Sequence, residues 1–280
     1  MIKIDKFSFQ GINGAYSELA GKNIFPEAKS IACSTFEEMF QAVREKKVNV
    51  AIVPIENSQA GRVADTQRLI PESKLKIIGE YFLEIKHNLV VIQGAKLSDV
   101  KRIHSHEQGI AQCRKNILKL KKEMIIEADT AGAAKKISEL KNKEDAAIAS
   151  ELASRIYNLN ILESNFQDAS SNVTRFLVMA PNLGLFKPED EDLITTLVYS
   201  VRSIPASLYK SLGGFASNGV NITKLESYVH PQGFDVAQFY IDFEGHPEQN
   251  SVKLAIEEMK FFCKRINILG VYKKSEFRKK

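Results

Sequence analysis

The chain has 280 residues, which is long for one domain and comfortable for two. Its apolar content of 44% and charged content of 26% are ordinary for a globular protein. Most of the formal net charge of +5 lies in the tail from Lys273 to Lys280, which holds five basic residues and one Glu. The rest of the chain is nearly neutral, so no basic face for nucleic acid is expected, and we expect the tail to be solvated and frayed.

The cysteines and the hydropathy pattern predict a protein of a reducing compartment. Cys33, Cys113 and Cys263 are odd in number, far apart, and form no Cys-x-x-Cys pair, which argues against a disulfide framework or a zinc site. The N-terminus has no apolar run of signal-peptide length, and no stretch reaches the ~18 apolar residues of a membrane span. We therefore predict a soluble, cytoplasmic protein with no membrane partner.

The first part of the chain alternates strand-like and helix-like segments. Strands are predicted at 2–9, 29–33, 48–53 (stopped by Pro54), 76–84, 87–92, 124–127, 146–149 and 174–180. Helices are predicted up to Gly21, behind a capping box at Thr35–Glu38, over 109–120, from a cap at Thr130 to 140, and from 150 to about 157. Such alternation is typical of a parallel-rich α/β architecture.

Residues 181–192 contain two prolines, one glycine and four acidic residues, which predicts a linker. Beyond it the pattern predicts a strand at 193–201, a helix from Pro205 to a stop at Asn218-Gly219, strands at 220–229 and 234–243, a helix from Pro247, and a strand at 266–272. The order βαββαβ is that of a ferredoxin-like split unit.

Four segments carry polar or glycine residues that a simple scaffold does not require. They are Gly11–Ser17, Val53–Gly61, Ile103–Gln108 and Asn172–Phe176. From the residues alone, each keeps an ordinary alternative: a plain turn, a polar loop, a solvated turn, or a strand start with an exposed arginine. His104 and His106 could suggest a metal, but no third ligand is evident, so we predict neither metal nor cofactor.

Taken in order, these segments resemble the prephenate dehydratase family with its common C-terminal ACT extension. The matching stretches are Gly11–Ser17, Val53–Ser58, Ser105–Gln108, Asp129–Ala134 and, above all, Asn172–Phe176. The resemblance implies a carbon–oxygen lyase of phenylalanine biosynthesis that converts prephenate to phenylpyruvate with loss of CO2 and water. Two alternatives stay open: an arogenate dehydratase, because 129–134 is also similar to arogenate-using relatives, and a binding module without turnover.

The resemblance also implies a fold. Residues 1–181 would form a bilobal α/β catalytic domain similar to periplasmic binding proteins, with one lobe from 1–77 plus 166–181 and the other from 78–165. The substrate would bind in the cleft between the lobes. Residues 193–272 would form a ferredoxin-like ACT regulatory domain.

The site residues implied by the resemblance centre on Thr174, which would act as a positioned donor to the leaving hydroxyl, because a threonine is a poor free acid. Arg175 would bind a substrate carboxylate if its side chain points inward. Glu56, Asn57, Ser58 and Gln108 would orient the hydroxyl and the pyruvyl end. Ser17, Ser105, Asn172 and Phe176 complete the predicted substrate contacts.

The C-terminal resemblance implies a regulatory ligand. ACT domains of this family bind phenylalanine across a dimer interface, and residues 213–227 carry the match here. Two stretches depart from the family pattern: Ala206-Ser207-Leu208 replaces Gly-Ala-Leu, and Glu226-Ser227-Tyr228-Val229 replaces Glu-Ser-Arg-Pro. The implied effector is L-phenylalanine, the implied assembly a homodimer or homotetramer, and the implied effector contacts are Leu208, Asn218, Glu226 and Ser227.

Overall fold

The computed structural model describes residues 3–182, 186–230 and 233–279. Ile2 of the first predicted strand, residues 183–185 of the predicted linker and Lys280 lie outside the described residues, as do the side chains of Tyr228 and Val229. The chain forms two compact units, Met1–Val63 with Phe82–Phe176 and Ala64–Tyr81 with Leu177–Lys280. The assignment of 1–181 to catalysis and 193–272 to regulation stays a prediction.

The strands account for most of the buried backbone. In chain order they are β1 (Lys6–Gln10), β2 (Lys29–Cys33), β3 (Val50–Asn57), β4 (Gly61–Arg62), β5 (Lys76–Glu84), β6 (Asn88–Ile92), β7 (Arg102–His106), β8 (Glu123–Glu127), β9 (Asp145–Ala149), β10 (Leu159–Glu163), β11 (Val173–Ala180), β12 (Leu193–Val201), β13 (Ile222–His230), β14 (Gly233–Glu244) and β15 (Cys263–Lys273).

Helices connect these strands. They are α1 (Tyr16–Ile24), α2 (Phe36–Arg44), α3 (Ala64–Leu69), α4 (Glu107–Gln112), α5 (Arg114–Leu120), α6 (Thr130–Leu140), α7 (Glu151–Ile156), α8 (Ser207–Ser217) and α9 (Asn250–Lys260). None of the helices in the described part of the chain combines the length and the apolar content that a membrane crossing requires.

The first unit contains two sheet layers. β1 pairs in parallel with β2 and with β3, and β3 lies beside β11. The other sheet has the order β10-β6-β9-β7-β8, in which β9, β7 and β8 run parallel. Its strands are buried against α6 by small apolar residues such as Ala133, Ala147 and Ala149. The α/β class predicted from the alternating pattern is confirmed.

The second unit contains the order β12-α8-β13-β14-α9-β15, with strands arranged β13-β14-β12-β15 and antiparallel. This is the predicted ferredoxin-like unit. Both helices cover one face of the sheet, where Leu197, Phe215, Ile241 and Met259 form a shared core. Apolar burial at ~25 cal/mol per Å² makes such a core the main source of stability.

Several predicted element boundaries are wrong by a few residues, and contacts in the structure explain two of them. The strand predicted to stop at Pro54 continues to Asn57. β3 pairs with β1 through Ile52 and with β4 from Glu56, so the missing N–H of Pro54 falls between these two ladders. The helix cap predicted at Thr130 lies one residue earlier, since Asp129 Oδ1 accepts from the N–H of Gly132 at 2.7 Å.

The helix predicted over 109–120 is two helices, α4 and α5, that meet at Cys113. A residue distant in sequence causes the break. The carboxylate of Asp168 accepts from the backbone N–H groups of Lys115 and Asn116 at 2.8 and 3.1 Å, which caps the start of α5. The carbonyl of Gln112 in turn accepts from the Asp168 N–H at 2.8 Å. Gln112 is therefore held at the end of α4.

The tail expected to be frayed is ordered through residue 279. Arg278 donates to both oxygens of Glu80 at 2.7 and 3.0 Å and lies 3.4 Å from Asp242 Oδ2. Both carboxylate side chains are fully buried. Buried carboxylates require a paired cation, and Arg278 supplies one. The composition of the tail could not reveal this, because its two partners lie far away in sequence.

Substitution of Arg278 by Met is expected to lower the free energy of unfolding by about 3–5 kcal/mol, because it leaves buried carboxylates without this cation. Lys279→Met is the matched control, since Lys279 forms only solvent-exposed pairs with Asp192 and Glu276. We expect a much smaller change for it. The measurement is denaturant unfolding of both variants beside the parent protein, and equal stability of the two variants would contradict this role.

Candidate active site

A polar cluster lies where β3 ends and β11 begins. Two bonds hold these segments together: the Ser58 N–H donates to the Val173 carbonyl at 2.8 Å, and the Val173 N–H donates to Ser58 Oγ at 3.0 Å. They bring together two of the four segments that the sequence singles out. The backbone of both is therefore positioned by regular pairing, which favours a rigid site.

Asn57 is the centre of this cluster. Its Oδ1 accepts from the backbone N–H groups of Gln59 and Ala60 at 2.9 and 2.8 Å. Its Nδ2 donates to Asn172 Oδ1 at 2.7 Å and to Thr174 Oγ1 at 2.9 Å. Because a backbone N–H only donates, the amide of Asn57 has a single orientation that satisfies all four groups.

Thr174 is 8% exposed and lies on β11 beside Asn57. Its hydroxyl oxygen accepts a hydrogen bond from Asn57, so the hydroxyl hydrogen is directed elsewhere. Within the described residues, the structure gives this hydroxyl no second protein hydrogen bond. The arrangement presents a hydroxyl donor at the edge of the cluster, which is the chemistry predicted for this residue.

Arg175 and Glu56 form a half-buried ion pair. Arg175 Nη1 lies 3.0 Å from Glu56 Oε1, and the two side chains are 1% and 32% exposed. The guanidinium carbon is 5.9 Å from the ring centroid of Phe82. Arg175 thus already has a protein carboxylate as partner, and its predicted contact with a substrate carboxylate stays a prediction. Phe176 is buried in the core.

The remaining predicted contacts lie on other elements. Ser105 on β7 is fully buried and donates to the Ile148 carbonyl at 3.0 Å. Gln108 is exposed in the first turn of α4, and Ser17 is half-buried in α1. The structure shows no hydrogen bond from these three side chains to Asn57 or Thr174 among the described residues. Their roles stay predictions.

Three residues that the sequence reasoning missed extend the cluster. Asn172 Nδ2 donates to Gln112 Oε1 at 3.0 Å. His87 Nε2 lies 2.8 Å from the same oxygen, and His87 Nδ1 lies 2.8 Å from the Tyr16 hydroxyl. We call Asn57, Asn172, Gln112, His87 and Tyr16 the Asn57–Tyr16 network. Tyr16 and Gln112 each lie within or close behind a segment that the sequence singled out, which was the available signal.

Burial sets the ionisation of this network. It lowers the pKa of His87, although the hydrogen bond with Gln112 opposes the shift. It also raises the pKa of Tyr16 well above its ordinary value, with a smaller contribution from Cys113. Both side chains are therefore neutral at neutral pH. Their rings meet edge to face, with centroids 5.5 Å apart.

His104 belongs to a separate polar cluster. Its Nδ1 lies 2.8 Å from Glu127 Oε1 and its Nε2 lies 3.1 Å from Asp145 Oδ1, while Arg102 donates to both oxygens of Asp145. In the part of the chain that the structure describes, no group of three or more His, Cys, Asp or Glu residues is arranged to hold a metal. Carboxylate oxygens within the protein thus lie within hydrogen-bond distance of both ring nitrogens of His104.

The second unit carries the residues predicted for the effector. Leu208 is the second residue of α8 and is 36% exposed, and Asn218 donates to Glu258 Oε1 at 3.0 Å. Glu226 accepts from Gln67 and pairs with Lys224, and Ser227 is exposed. A cleft of about 460 Å³ follows β12; Val201, Arg202, Ser203, Ile204, Pro205, Ser207 and Ala237 line it. Leu208 directly follows this lining, whereas the other three predicted residues lie elsewhere.

Known proteins resemble the chain over nearly its whole length. A family model described as prephenate dehydratase matches residues 7–183. A bifunctional N-acyl-homoserine lactone acylase/prephenate dehydratase of Komagataeibacter europaeus is 42% identical over 98% of this chain and 97% of that protein. Arogenate dehydratase 2 of Petunia hybrida is 37% identical over 95% of this chain and 71% of that protein. The solved structure of a prephenate dehydratase from Arthrobacter aurescens in complex with L-Phe has a TM-score of 0.86 and 29% sequence identity. The match covers 96% of this chain and 90% of that chain.

The glycine loop before α1 is shaped by a close approach within the protein. Gly14 has a φ of +95°, and a Cβ built there would lie 2.8 Å from both Cα and Cβ of Ala153. The Gly14 carbonyl accepts from Ser150 Oγ at 2.6 Å. Gly14 is therefore required by the contact with the start of α7, which was not visible in the sequence.

Gly14→Ala is expected to lower the free energy of unfolding by about 3 kcal/mol. A non-glycine residue at positive φ costs ~1–2 kcal/mol, and the steric overlap of the new Cβ with Ala153 adds to this cost. Gly94→Ala is the control, because Gly94 has a φ of +76° but nothing within 4 Å of a built Cβ. It should show only the backbone part of the effect. Denaturant unfolding measures both, and equal losses would contradict the close approach as the cause.

Proposed function

The chain belongs to the prephenate dehydratase family, a family of hydro-lyases, and on that premise we propose that it converts prephenate to phenylpyruvate, CO2 and water. The observation that carries this proposal is the Thr174 hydroxyl, which accepts from Asn57 and keeps its hydrogen available for an acceptor outside the protein. Both residues lie in segments that resemble the family's motifs. No cofactor or metal takes part in the proposed reaction.

The reaction needs a donor more than it needs a base. The bond between the ring and its carboxylate breaks, CO2 leaves, and the electron pair moves through the ring to expel the hydroxyl on the opposite side. Hydroxide is a poor leaving group, so it must leave as water with a proton delivered to it. Thr174 passes its proton to this oxygen as the C–O bond breaks and regains a proton from solvent, so that the hydroxyl leaves as water. The aromatic ring that forms supplies the driving force.

Two charged side chains define how the dianionic substrate is received. Glu56 alone would repel the carboxylates of prephenate, and the pairing with Arg175 neutralises it. In this proposal, Arg175 binds a substrate carboxylate through guanidinium N–H groups that do not contact Glu56, or after its hydrogen bond with Glu56 breaks. Asn57, Ser58 and Gln108 then orient the hydroxyl and the pyruvyl end, and Ser17, Ser105, Asn172 and Phe176 complete the site.

Thr174→Val removes the hydroxyl and keeps the size of the side chain. We expect kcat for phenylpyruvate formation from prephenate to fall about 100-fold or more, the usual contribution of a positioned proton donor. Thr174→Ser should restore most of the turnover. Thr223→Val in β13 is the control that keeps full turnover. Unchanged kcat in Thr174→Val, measured by phenylpyruvate absorbance, would remove Thr174 from the mechanism.

Arogenate is the alternative substrate, and the Petunia relative supports it. Arogenate carries an amino group where prephenate has the keto oxygen, so it would bring a cation to the pyruvyl end of the site. The comparison of kcat/KM for prephenate and arogenate on the same preparation decides between them. A higher kcat/KM for prephenate than for arogenate supports the first proposal, and a higher kcat/KM for arogenate supports the alternative.

A second activity follows from the Komagataeibacter relative, which is named as an N-acyl-homoserine lactone acylase as well as a dehydratase. The 42% identity over nearly both whole chains favours testing it here. Amide hydrolysis requires an activated nucleophile, and burial raises the pKa of the Cys113 thiol, which disfavours that role. Release of homoserine lactone from an N-acyl-homoserine lactone supports the activity, and its absence in a preparation with dehydratase turnover excludes it.

For residues 193–272 we propose an ACT regulatory domain that binds L-phenylalanine. The ferredoxin-like order of strands and helices, the cleft after β12, and the Arthrobacter structure described as a complex with L-Phe support this role. Leu208, Asn218, Glu226 and Ser227 are the proposed effector contacts. Because Asn218, Glu226 and Ser227 lie away from the cleft in a single chain, the proposal includes a homodimer or homotetramer in which a second copy completes the pocket.

Leu208→Asp tests the regulatory pocket. We expect at least about a tenfold rise in the phenylalanine concentration that changes the dehydratase rate, since an apolar contact worth ~1.5–3 kcal/mol is lost. Leu254→Asp is the control on α9, where Leu254 is exposed to a similar extent. Identical phenylalanine responses in the two variants would contradict the role of Leu208.

We propose the cytoplasm as the location of this enzyme. All three cysteines are free and buried, which suits a compartment that keeps thiols reduced. Neither nucleic acid nor a membrane is a proposed partner.

A further inference from the structure

The hydrogen bonds of the Asn57–Tyr16 network have a direction that can be worked out from one end. The backbone N–H groups of Gln59 and Ala60 can only donate, so Asn57 presents its oxygen to them. The NH2 group of Asn57 must then face Asn172 and Thr174. Asn172 consequently presents its oxygen to Asn57, and its own NH2 group faces Gln112.

The same reasoning extends to the imidazole. Gln112 presents its oxygen to Asn172, and His87 Nε2 lies 2.8 Å from that same oxygen. An amide oxygen only accepts, so His87 Nε2 carries a hydrogen. Burial disfavours the imidazolium, which leaves a lone pair on Nδ1. The Tyr16 hydroxyl, 2.8 Å away, therefore donates to Nδ1.

Tyr16 has a second acceptor within reach. Its hydroxyl oxygen lies 2.9 Å from the Lys86 carbonyl. A hydroxyl has one hydrogen, so it can donate fully to only one of the two. If the other imidazole nitrogen carried the hydrogen, Nδ1–H would donate to the Tyr16 oxygen and Tyr16 would donate to Lys86. The Tyr16 hydroxyl can therefore form a hydrogen bond with His87 Nδ1 in either tautomer of the imidazole.

We propose that Tyr16 and His87 are positioning residues: the Nε2–H form of His87, supported by Tyr16, holds the Gln112 amide in the one orientation that lets Asn172 accept from the same Asn57 NH2 group that bonds Thr174. His87 gives Gln112 Oε1 its second donor and so satisfies a group that also accepts from Asn172. The link to turnover rests on the proposed dehydratase function, whereas the tautomer follows from the hydrogen-bond geometry together with the burial of His87.

The opposite tautomer of His87 would leave two hydrogen-bond donors facing each other inside the site. A lone pair on His87 Nε2 would favour a rotated Gln112 that donates to it. Rotated Gln112 would confront the NH2 group of Asn172, and a rotated Asn172 would confront the NH2 group of Asn57. Because the two backbone N–H groups hold Asn57 in place, one buried donor would be left facing another, which is unfavourable.

The first test reads the tautomer directly. Long-range 1H–15N NMR of protein labelled with 15N-histidine distinguishes Nε2–H, Nδ1–H and imidazolium, and the chain has only five histidines. His87→Gln identifies the signal. We expect Nε2–H in the parent protein at neutral pH; a dominant Nδ1–H form or imidazolium would overturn the inference. This result does not depend on turnover.

Asn57→Asp provides the sharpest variant, because it should reverse the network. A carboxylate still accepts from Gln59 and Ala60, but its other oxygen now requires a donor from Asn172. Asn172 and Gln112 then rotate, Gln112 donates to His87 Nε2, and the imidazole becomes Nδ1–H. We expect the His87 signal to change tautomer in Asn57→Asp. A signal that keeps the Nε2–H form would show that the two ends are not coupled.

The second test reads the effect on catalysis. His87→Gln can place an amide NH2 where Nε2–H donates, whereas His87→Asn is too short to reach Gln112. We expect His87→Asn to lower kcat about tenfold, the effect of one lost buried hydrogen bond, with KM little changed. His87→Gln should retain most of kcat, at a melting temperature similar to that of His87→Asn.

Equal kcat losses in the two variants, or a change confined to KM, would overturn the positioning role. If the parent protein shows no turnover of prephenate or arogenate, the proposed function fails, and the tautomer of His87 in the parent protein and in Asn57→Asp still decides the inference.

Discussion

Two backbone N–H groups, those of Gln59 and Ala60, constrain the whole candidate site by binding Asn57 Oδ1. They leave the amide of Asn57 one orientation, and every side-chain hydrogen bond from Thr174 to Tyr16 takes its direction from it. The hydroxyl of Thr174 becomes an acceptor towards the protein and a donor towards the substrate space. A single tight turn after β3 therefore orients the hydroxyl that we propose as the donor in the loss of water from prephenate.

The fold supplies this constraint through elements that lie far apart in the sequence. The bonds between Ser58 and Val173 join the turn after β3 to the start of β11. The break between α4 and α5, capped by Asp168, leaves Gln112 at a helix end where its side chain meets Asn172. Rigid backbone on both sides means that, in the proposed reaction, the amides need no reorganisation when charge develops on the leaving oxygen.

Sequence reasoning found the elements that depend on local pattern. The sequence singles out Val53–Ser58 and Asn172–Phe176, and the structure brings these two segments together. The βαββαβ order of the second unit was also predicted. The order and type of these elements can be predicted because strand alternation, helix caps and turn residues act over a few neighbouring positions.

Other features depend on partners distant in sequence, and local pattern carries no information on them. The break at Cys113 requires Asp168, the order of the tail requires Glu80 and Asp242, and the conformation of Gly14 requires Ala153. His87 stood in the sequence as an ordinary residue at the start of a strand. Its role becomes visible only when the oxygen of Gln112 is seen beside it.

Neutron diffraction from perdeuterated crystals would locate the hydrogens of this site. We expect deuterium on His87 Nε2, the ND2 group of Asn57 facing Thr174 Oγ1, and the deuterium of Thr174 directed away from Asn57. An Asn57 oxygen that accepts the Thr174 deuterium, with His87 deuterated on Nδ1 alone, would contradict this expectation.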